Sequence, residues 1–487
     1  MAALIASGLT ACLSQSHSQA HSQSQPHSQS HPQSQSHSAG RDNPPSAVAA
    51  TEFDVQHYDL DLDYDVARRR LVGRATLDIL AGGGPDDIVL DDIVLDLRGP
   101  RAKAVRIDGA DAQFRQTKGE LVIEPVAGPN PGQKLEVEVE YEGAMGTPVD
   151  ANGTPFGWIA TSTGAQVLAQ PDGAPTWFPA HDVLTDKATY DFTVTVPRGM
   201  TAVANGILGG HREEGKRTTW SWHAEDPMLT YLATVNIGDY DLQAATGPQG
   251  IPVLNAVSRD LDRQATRDAQ EALGLQPEIL KFLADTWGPY PFSAAGAIVN
   301  DADLGYALET QTRPVYATTL DDSTIVHELA HQWFGDSVSI ATWQDIWLNE
   351  GFAVYSEWLW SDREYGARYG ATVDALADDV ASRPKSDPIW KVDLAAPTRA
   401  QLFDRAVYDR GALTLHALRR TIGDDAFWEL TRAWARTHAG GNVTTADFEH
   451  LAEQVSGQDL HTFFRAWVHS TGRPDVSTID LSRVRLS

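Results

Sequence analysis

Hydrophobic and polar residues alternate along much of the first half of the chain. Between residues 51 and 245, stretches such as HYDLDLDYDV, LVGRATLDIL, KLEVEVEYEG and ATYDFTVTV follow a period of two, and turn residues separate them. This period places successive side chains on opposite faces of a strand, so that one face can be buried while the other contacts water. Turn signals every ~8–12 residues favour antiparallel pairing. We therefore predict an N-terminal all-β domain with antiparallel strands over residues 51–245.

The pattern changes to a helical period in the second half of the chain. Apolar residues recur at intervals of three and four in DRQATRDAQEALGLQPEILKFLADTW, which begins at Asp262. A short β-like stretch follows at residues 297–316, and helical patterns then continue to residue 466. Long helices combined with a few strands predict an α+β domain over residues 246–487.

The first fifty residues differ in composition from both predicted domains. Residues 1–40 contain no Lys, Arg, Asp or Glu, and a short apolar run ends at Cys12. This run resembles a bacterial lipobox, so residues 1–12 are interpreted as a lipoprotein-type signal segment and Cys12 as the site of lipidation. Because basic residues are missing from the run, an N-terminus with an incidental thiol is the alternative. Residues 13–50 are rich in Ser, Gln and His, and we expect them to form a disordered tether.

These features predict a location outside the cytoplasm. We expect the protein to be lipid-anchored at the bacterial cell membrane through Cys12, or secreted. No later segment approaches the ~20 consecutive apolar residues of a membrane span. The lipid is therefore the predicted means of membrane attachment.

The charge of the chain argues against a nucleic-acid-binding protein, and its cysteine content excludes a protein stabilised by internal disulfides. The chain has 66 acidic and 38 basic residues and a formal net charge of −28, so a nucleic acid backbone would be repelled. No nucleic acid partner is expected. Because the chain has a single cysteine, an intramolecular disulfide cannot form.

Three residues on one predicted helix carry a metal-binding signal. His327 and His331 are four positions apart in HELAHQWFG, so both imidazole rings project from the same helix face. Glu328 lies about 100° around that helix, beside a bound ion and not on it. Acidic and capping residues precede the helix, and Gly335 is expected to end it. A His-Glu-x-x-His segment of this kind is typical of zinc proteases.

A third metal ligand is predicted on the next helix. Glu350 lies in WLNEGFA and follows His331 after an 18-residue gap, 332–349. Two His, one Glu and an open position form the ligand set of catalytic zinc, which predicts one zinc ion per chain; other divalent ions accept the same ligands. Glu357, two turns further along, is predicted to orient a zinc-binding histidine. The alternative is an amphipathic helix with incidental histidines.

These motifs resemble those of the aminopeptidase N family of gluzincin zinc metallopeptidases, which includes the leukotriene hydrolase. The resemblance covers residues 52–473 and is carried by HELAHQWFGDSV at His327, WLNEGFA at Trp347 and WFPAHDVLTDKATYDFTVTVP at Trp177. It implies a saddle-like N-terminal β domain followed by a thermolysin-like α+β catalytic domain, as in the short bacterial form. Because 137 residues follow Glu350 (487 − 350), no large C-terminal helical domain is expected.

The resemblance also implies further site residues. The family binds the substrate α-amine through a glutamate in a Gly-x-Met-Glu-Asn strand, and Glu309 occupies this place in YALET. Gln170 and Asp172 match a family pair that reaches the same amine. Tyr408, 58 positions after Glu350, matches the family tyrosine that stabilises the oxyanion. The alternatives are an exposed strand carboxylate at position 309, a plain turn at 170–172 and a core tyrosine at 408.

Together these residues predict a zinc-dependent aminopeptidase, whose substrates are peptides with a free N-terminus. Glu328 is the predicted general base and acts on a water molecule activated by the metal. An endopeptidase or an epoxide hydrolase on the same scaffold is the alternative among enzymes. A non-catalytic surface binding protein with a vestigial metal site is the alternative outside them.

Overall fold

The computed structural model describes residues 53–82, 92–126, 128–317 and 319–475. The expected signal segment with Cys12 and the expected tether lie outside the described residues. Within the described ranges, no helix is both long and apolar enough to cross a bilayer.

The part of the chain before residue 240 is built of strands, as the alternating pattern predicts. Along β11, for example, every second residue is buried, which matches the alternation in ATYDFTVTVP. The strands are β1 (Phe53–Asp65), β2 (Arg70–Ala81), β3 (Ile93–Asp96), β4 (Arg101–Ile107), β5 (Ala110–Asp111), β6 (Gln113–Gln116), β7 (Glu120–Glu124), β8 (Lys134–Gly143), β9 (Gly157–Ala160), β10 (Ala165–Leu168), β11 (Ala188–Pro197), β12 (Thr201–Ala204), β13 (Ile207–Glu214), β14 (Arg217–Met228) and β15 (Val235–Gly238).

These strands form three sheets. The largest has eight strands in the order β13-β14-β11-β1-β2-β8-β4-β5, and two smaller sheets have the orders β12-β15-β10-β9 and β3-β7-β6. The pairing is antiparallel except between β1 and β11, which run parallel with His57 opposite Thr189. A tight turn forces antiparallel pairing, but these two strands are far apart in the sequence and no such turn constrains them.

The second part of the chain combines one mixed sheet with helices. Five strands form a sheet in the order β16-β17-β18-β20-β19, and β21 and β22 form a separate parallel pair. In chain order the elements are β16 (Tyr240–Thr246), β17 (Pro252–Ser258), α1 (Arg263–Gly274), α2 (Gln276–Trp287), β18 (Ala295–Val299), β19 (Tyr306–Leu308), β20 (Val315–Ala317), α3 (Asp322–Ala330), β21 (Ser339–Ile340), α4 (Trp347–Ser361), α5 (Ala367–Tyr369), α6 (Val373–Ser382), α7 (Gly411–Ile422), α8 (Asp424–Thr437), β22 (Asn442–Val443), α9 (Thr445–Ser456) and α10 (His461–Trp467).

The boundary between the two domains lies earlier than the sequence pattern suggests. The expected boundary at residue 245 falls inside β16, which pairs with β17 and so belongs to the sheet of the second domain. The change of sheet occurs between Gly238 and Tyr240. The alternation in β16 resembles that of the preceding strands, and only its long-range pairing assigns it to the second domain.

A buried arginine joins the two domains beside β19. The guanidinium group of Arg313 donates hydrogen bonds to the backbone carbonyls of Leu254 at 3.1 Å and Gly206 at 3.0 Å. It also lies over the ring of Trp222. Because the carbonyl of Gly206 belongs to the β domain and that of Leu254 to β17, the segment between β19 and β20, which carries Arg313, is held at the interface between the domains.

Candidate active site

Helix α3 and the residue that follows it carry the two histidines of the predicted metal-binding motif. Asp321 caps its N-terminus and accepts a hydrogen bond from the backbone N–H of Thr324 at 2.8 Å. His327 lies in the last turn, and His331 is the first residue beyond the helix. The backbone N–H of His331 still donates to the carbonyl of His327 at 3.3 Å, so the four-residue spacing is helical.

The sequence pattern predicts that the helix ends at Gly335, but in the structure it ends several residues earlier. Its last residue is Ala330, and a turn that follows is closed by a hydrogen bond from the N–H of Gly335 to the carbonyl of Val338 at 2.8 Å. Gly335 has φ of 135°, a backbone conformation that favours glycine. The glycine therefore shapes the turn after the helix and is not its immediate stop.

The side chains of both histidines converge on Glu350, which lies in the first turn of α4. One oxygen, Glu350 Oε2, is 3.3 Å from His327 Nε2 and 3.4 Å from His331 Nε2. All three side chains are buried or nearly so. Within the described residues this oxygen has no hydrogen-bond partner, although burial makes an unsatisfied carboxylate oxygen costly.

This arrangement fits a zinc ion. Two imidazole nitrogens and one carboxylate oxygen facing a common point are the three protein ligands of catalytic zinc, and an ion there would satisfy the buried oxygen of Glu350. His327, His331 and Glu350 are therefore the residues that would hold the metal.

The other nitrogen of each histidine is already bound. His327 Nδ1 lies 2.6 Å from an oxygen of Glu357, whose second oxygen accepts a hydrogen bond from Ser323 Oγ at 2.6 Å. His331 Nδ1 donates to the backbone carbonyl of Phe334 at 3.0 Å. These contacts fix the orientation of both rings and leave the Nε2 atoms for the metal.

Two carboxylates lie next to the metal ligands. Glu309 and Glu328 each have an oxygen within 4.8 Å of a ring nitrogen of His331. Burial raises the pKa of Glu328 to about 7, and the neighbouring histidines partly oppose this shift. Glu328 thus has the position and the proton affinity that a general base requires near neutral pH.

Glu309 follows β19 and contacts the β domain. The side-chain amide of Gln170 donates to Glu309 Oε1 at 2.8 Å. The Glu309 side chain is buried, and this burial raises the pKa of its carboxyl group. The structure therefore brings together Glu309 and Gln170, two residues that the family resemblance implies for amine binding.

Asp172 is placed differently from its expected role. Its carboxylate oxygens form ion pairs with Arg399 at 2.8 Å and with Arg98 at 3.2 Å. Both oxygens are thus engaged by guanidinium groups. The sequence pattern at 170–172 did not indicate these two arginines, because Arg98 and Arg399 are distant in the sequence.

Tyr408 lies in the π-helical segment Ala406–Arg410. Its ring stacks near that of His327, with ring centroids 6.0 Å apart and an interplanar angle of 21°. Burial and the nearby carboxylate of Glu350 raise the pKa of the Tyr408 hydroxyl well above its ordinary value. The hydroxyl therefore stays protonated and can donate a hydrogen bond.

Gln332 connects the segment that carries Glu309 with the turn that follows His331. No sequence pattern indicated this residue. Its amide nitrogen donates to the backbone carbonyl of Glu309 at 3.2 Å and to Asp336 Oδ2 at 2.7 Å. Its amide oxygen accepts from the backbone N–H of Thr312 at 2.7 Å. Gln332 directly follows His331, so its position within the motif was the available signal.

Lys187 is a second residue that the sequence analysis missed. Its ammonium group donates to the backbone carbonyls of Asp336 and Ser337, each at 2.9 Å. Burial lowers the pKa of Lys187 to about 8. The lysine belongs to the β domain, and the two carbonyls belong to the segment that follows His331, so this contact crosses the domain interface.

The β domain, the α+β domain and the His-Glu-x-x-His segment with a glutamate as third ligand are the arrangement of two-domain zinc metallopeptidases. The Peptidase M1 N-terminal domain matches residues 54–232, and the Peptidase family M1 domain matches residues 302–467. The chain belongs to peptidase family M1.

Solved structures share this architecture. The M1 zinc metallopeptidase from Deinococcus radiodurans has a TM-score of 0.78 and 30% sequence identity, and the match covers 87% of this chain and 96% of that chain. A mutant of that protein was solved bound to a Tyr-Ser-Ala substrate, with the same TM-score, identity and coverage. Legionella pneumophila aminopeptidase A, at 20% identity and a TM-score of 0.74, shares the fold over 88% of this chain and 51% of its own.

Curated relatives are longer proteins. Aminopeptidase N of Streptomyces lividans is 25% identical over 484 residues, which cover 88% of this chain and 52% of that relative. Aminopeptidase N of Oryctolagus cuniculus is 28% identical over 350 residues, or 62% of this chain and 34% of the relative. The chain spans about half the length of the first of these relatives and a third of the second.

Proposed function

We propose that this chain is a zinc-dependent aminopeptidase, which hydrolyses the first peptide bond of substrates that have a free α-amine. The observation that carries this proposal is the position of Glu309, whose carboxylate lies within 4.8 Å of a ring nitrogen of His331, a metal ligand, and of the carboxylate of Glu328, the general base. In a peptide, the α-nitrogen and the carbonyl carbon of one residue are about 2.5 Å apart, as the standard bond lengths and angle require. A carboxylate so close to the metal ligands therefore suits a substrate with a single residue before the cleaved bond.

The relatives support the same substrate class. The Streptomyces lividans and Oryctolagus cuniculus relatives are named as aminopeptidases, and the Deinococcus radiodurans protein was solved with a tripeptide substrate. We extend this substrate class, short peptides with a free N-terminus, to the present chain.

His327, His331 and Glu350 would hold the zinc ion. When bound, zinc supplies Lewis acidity, which lowers the pKa of water to about 7 and polarises the scissile carbonyl. Glu328 accepts the proton of the attacking water and then delivers it to the leaving amine, so one carboxylate acts first as base and then as acid. Burial raises the pKa of Glu328, which favours its uptake of the proton from water.

Two other contacts position the substrate. The protonated hydroxyl of Tyr408 donates a hydrogen bond to the carbonyl oxygen as negative charge develops on it. Glu309 binds the α-ammonium group. The side-chain amide of Gln170 donates a hydrogen bond to one carboxylate oxygen of Glu309 and so holds that carboxylate in place. An N-acetylated substrate would leave the buried carboxylate of Glu309 without its cationic partner.

A panel of aminoacyl-fluorophore substrates, free and N-acetylated, tests this function. We expect chelator-sensitive release from the free substrates by the wild type and its loss in Glu328→Gln. Equal cleavage of free and acetylated substrates would instead identify an endopeptidase. Peptide binding without any chelator-sensitive hydrolysis would indicate a binding protein.

We also propose that the enzyme acts outside the cytoplasm, held to the membrane by a lipid on Cys12. The apolar run that ends at Cys12 and the Ser-, Gln- and His-rich segment that follows it support this location. In a bacterial host, labelled fatty acid should be incorporated into the wild type and not into Cys12→Ser. Release of unlabelled wild type into the medium would support secretion and contradict the anchor.

A further inference from the structure

The turn that carries Gln170 is held at two points by the catalytic domain. At its start, the Gln170 amide donates to Glu309 Oε1 at 2.8 Å. Two residues later, Asp172 Oδ1 accepts from Arg399 Nη2 at 2.8 Å. Glu309 and Arg399 both belong to the catalytic domain, whereas Gln170 and Asp172 belong to the β domain, so both contacts cross the interface.

Asp172 has little capacity left to bind a substrate amine. Its second oxygen, Oδ2, pairs with Arg98 Nη1 at 3.2 Å, and Arg98 also donates to the backbone carbonyl of Asp172. Each carboxylate oxygen therefore already has a guanidinium partner. The negative charge that the family pattern places here is neutralised from both sides.

Arg399 is presented by a well-defined turn. It opens the short 3-10 segment Arg399–Gln401, and Thr398 and Gln401 cap that segment reciprocally. The Gln401 amide oxygen accepts from the Thr398 backbone N–H at 3.1 Å, and the Gln401 N–H donates to the Thr398 carbonyl at 2.8 Å. The local backbone thus holds the guanidinium group toward the β domain.

We propose that Arg399 is a positioning residue for amine recognition, which acts through Asp172 to keep the Gln170 amide on Glu309. This inference rests on the proposed aminopeptidase function. An ion pair between the domains thereby sets the affinity for the substrate α-ammonium. Among the described residues, Arg399 makes no hydrogen bond to Glu309 or to a predicted metal ligand.

The exposure of this pair predicts how it responds to salt. The side chains of Arg399 and Asp172 are 38% and 27% exposed, so their attraction is screened by dissolved ions. In the wild type, KM for a free aminoacyl substrate should therefore rise with ionic strength. The rise should be smaller in a variant that lacks the charge of Arg399.

Steady-state kinetics with an aminoacyl-fluorophore substrate tests the proposal in the full chain. Arg399→Gln should raise KM about twofold to fivefold, the upper range of a partly exposed ion pair, and change kcat less than about 1.5-fold. Arg399→Lys keeps the charge and should recover most of the loss. Arg363→Gln is the matched control, because Arg363 is similarly exposed and pairs with Glu278 away from the site.

The outcomes separate the two proposals. An unchanged KM in Arg399→Gln, or an equal loss in Arg363→Gln, would overturn the role of Arg399 while the wild type still releases N-terminal residues. A loss of kcat and melting temperature without a change in KM would show a merely structural role and overturn it too. A wild type that hydrolyses no free aminoacyl substrate would overturn the proposed function, and the role of Arg399 with it.

Discussion

His327 contacts a carboxylate with each of its ring nitrogens: Nδ1 lies 2.6 Å from Glu357 and Nε2 lies 3.3 Å from Glu350. The first contact orients the ring, and the second belongs to the metal ligand set. Both carboxylates come from α4 and lie seven residues apart. This helix therefore supplies a metal ligand, Glu350, and also Glu357, which orients the metal ligand His327. The metal affinity should therefore depend on a residue that does not bind the metal.

Glu357→Gln tests this dependence. The variant should bind zinc about 10- to 100-fold more weakly, because the ring of His327 loses its charged hydrogen-bond acceptor. Competition with a chromophoric chelator measures the affinity directly. Glu449→Gln is a suitable control, since it removes another Glu–His contact of 2.6 Å, to His469, away from the site. Equal affinities for Glu357→Gln and the wild type would contradict the role of Glu357.

Glu328→Gln should abolish most of the activity and leave the metal in place. Loss of a general base typically lowers kcat by ~10²–10⁴-fold, and Glu328 is not among the three predicted ligands. Initial rates and elemental analysis of the same preparation check the two parts. Full activity in this variant would refute the mechanism, and loss of the metal would show that Glu328 supports the ligand set.

Tyr408→Phe should lower kcat by ~10²–10³-fold with little change in KM, because the hydroxyl acts on charge that develops in the transition state. Tyr365→Phe is the control, since its hydroxyl donates to Asp322 at 2.7 Å at the start of α3. If Tyr408→Phe raised KM and kept kcat, the hydroxyl would instead contribute to ground-state binding.

Removing the carboxylate of Glu309 should remove the preference for a free N-terminus. In the wild type, acetylation is expected to cost roughly 2–5 kcal/mol of transition-state binding, because the buried carboxylate loses its partner. In Glu309→Ala the ratio of kcat/KM for free and acetylated substrates should fall toward one. A ratio that stays at the wild-type value would assign amine recognition to another residue.

We expect Asp182 to make the stability of the β domain dependent on pH. Its side chain is 8% exposed, and burial together with the nearby Asp96 raises its pKa from 3.8 to about 7. The folded state therefore binds this proton more tightly than the unfolded state, and stability decreases as pH rises from about 4 to about 7. Each unit of pKa shift corresponds to about 1.4 kcal/mol.

Asp182→Asn should remove this dependence. Asn keeps an acceptor for the hydroxyl of Thr230, which donates to Asp182 at 2.5 Å, and it carries no charge. The difference in melting temperature between variant and wild type should grow in favour of the variant from about pH 4 to about pH 7 and level off above that range. A difference that is constant with pH would show that Asp182 has the same proton affinity in both states.

The sequence contains the information for the metal ligands because they depend on local geometry. The spacing of His327 and His331 is a property of one helix, and Glu350 lies on the helix that follows after a short connection. The two-domain architecture and the zinc metallopeptidase family are confirmed by the matches to the two M1 domains. The period-two pattern likewise predicts the strands of the first domain.

Residues that act across the domain interface could not be found in this way. Asp172 lies on the turn where the family pattern places it, yet its partner Arg399 is 227 positions away in the sequence. Lys187 reaches Asp336 over 149 positions. No local pattern specifies such pairs, because they depend on how two independently patterned domains pack. The sequence pattern also did not predict the change of sheet at Tyr240, because the sheet to which β16 belongs depends on its pairing with β17.

The buried ammonium group of Lys187 couples the catalytic half to the β domain. Cutting the polypeptide at the change of sheet would remove the Lys187 donor from the carbonyls of Asp336 and Ser337. Each carbonyl would keep only its donor within the catalytic domain, Ser339 Oγ or the N–H of Gly440, and the loop behind His331 would open to water. Truncated forms that begin near Tyr240 should consequently be poor starting points for engineering, whereas co-expression of the two halves should restore a working enzyme.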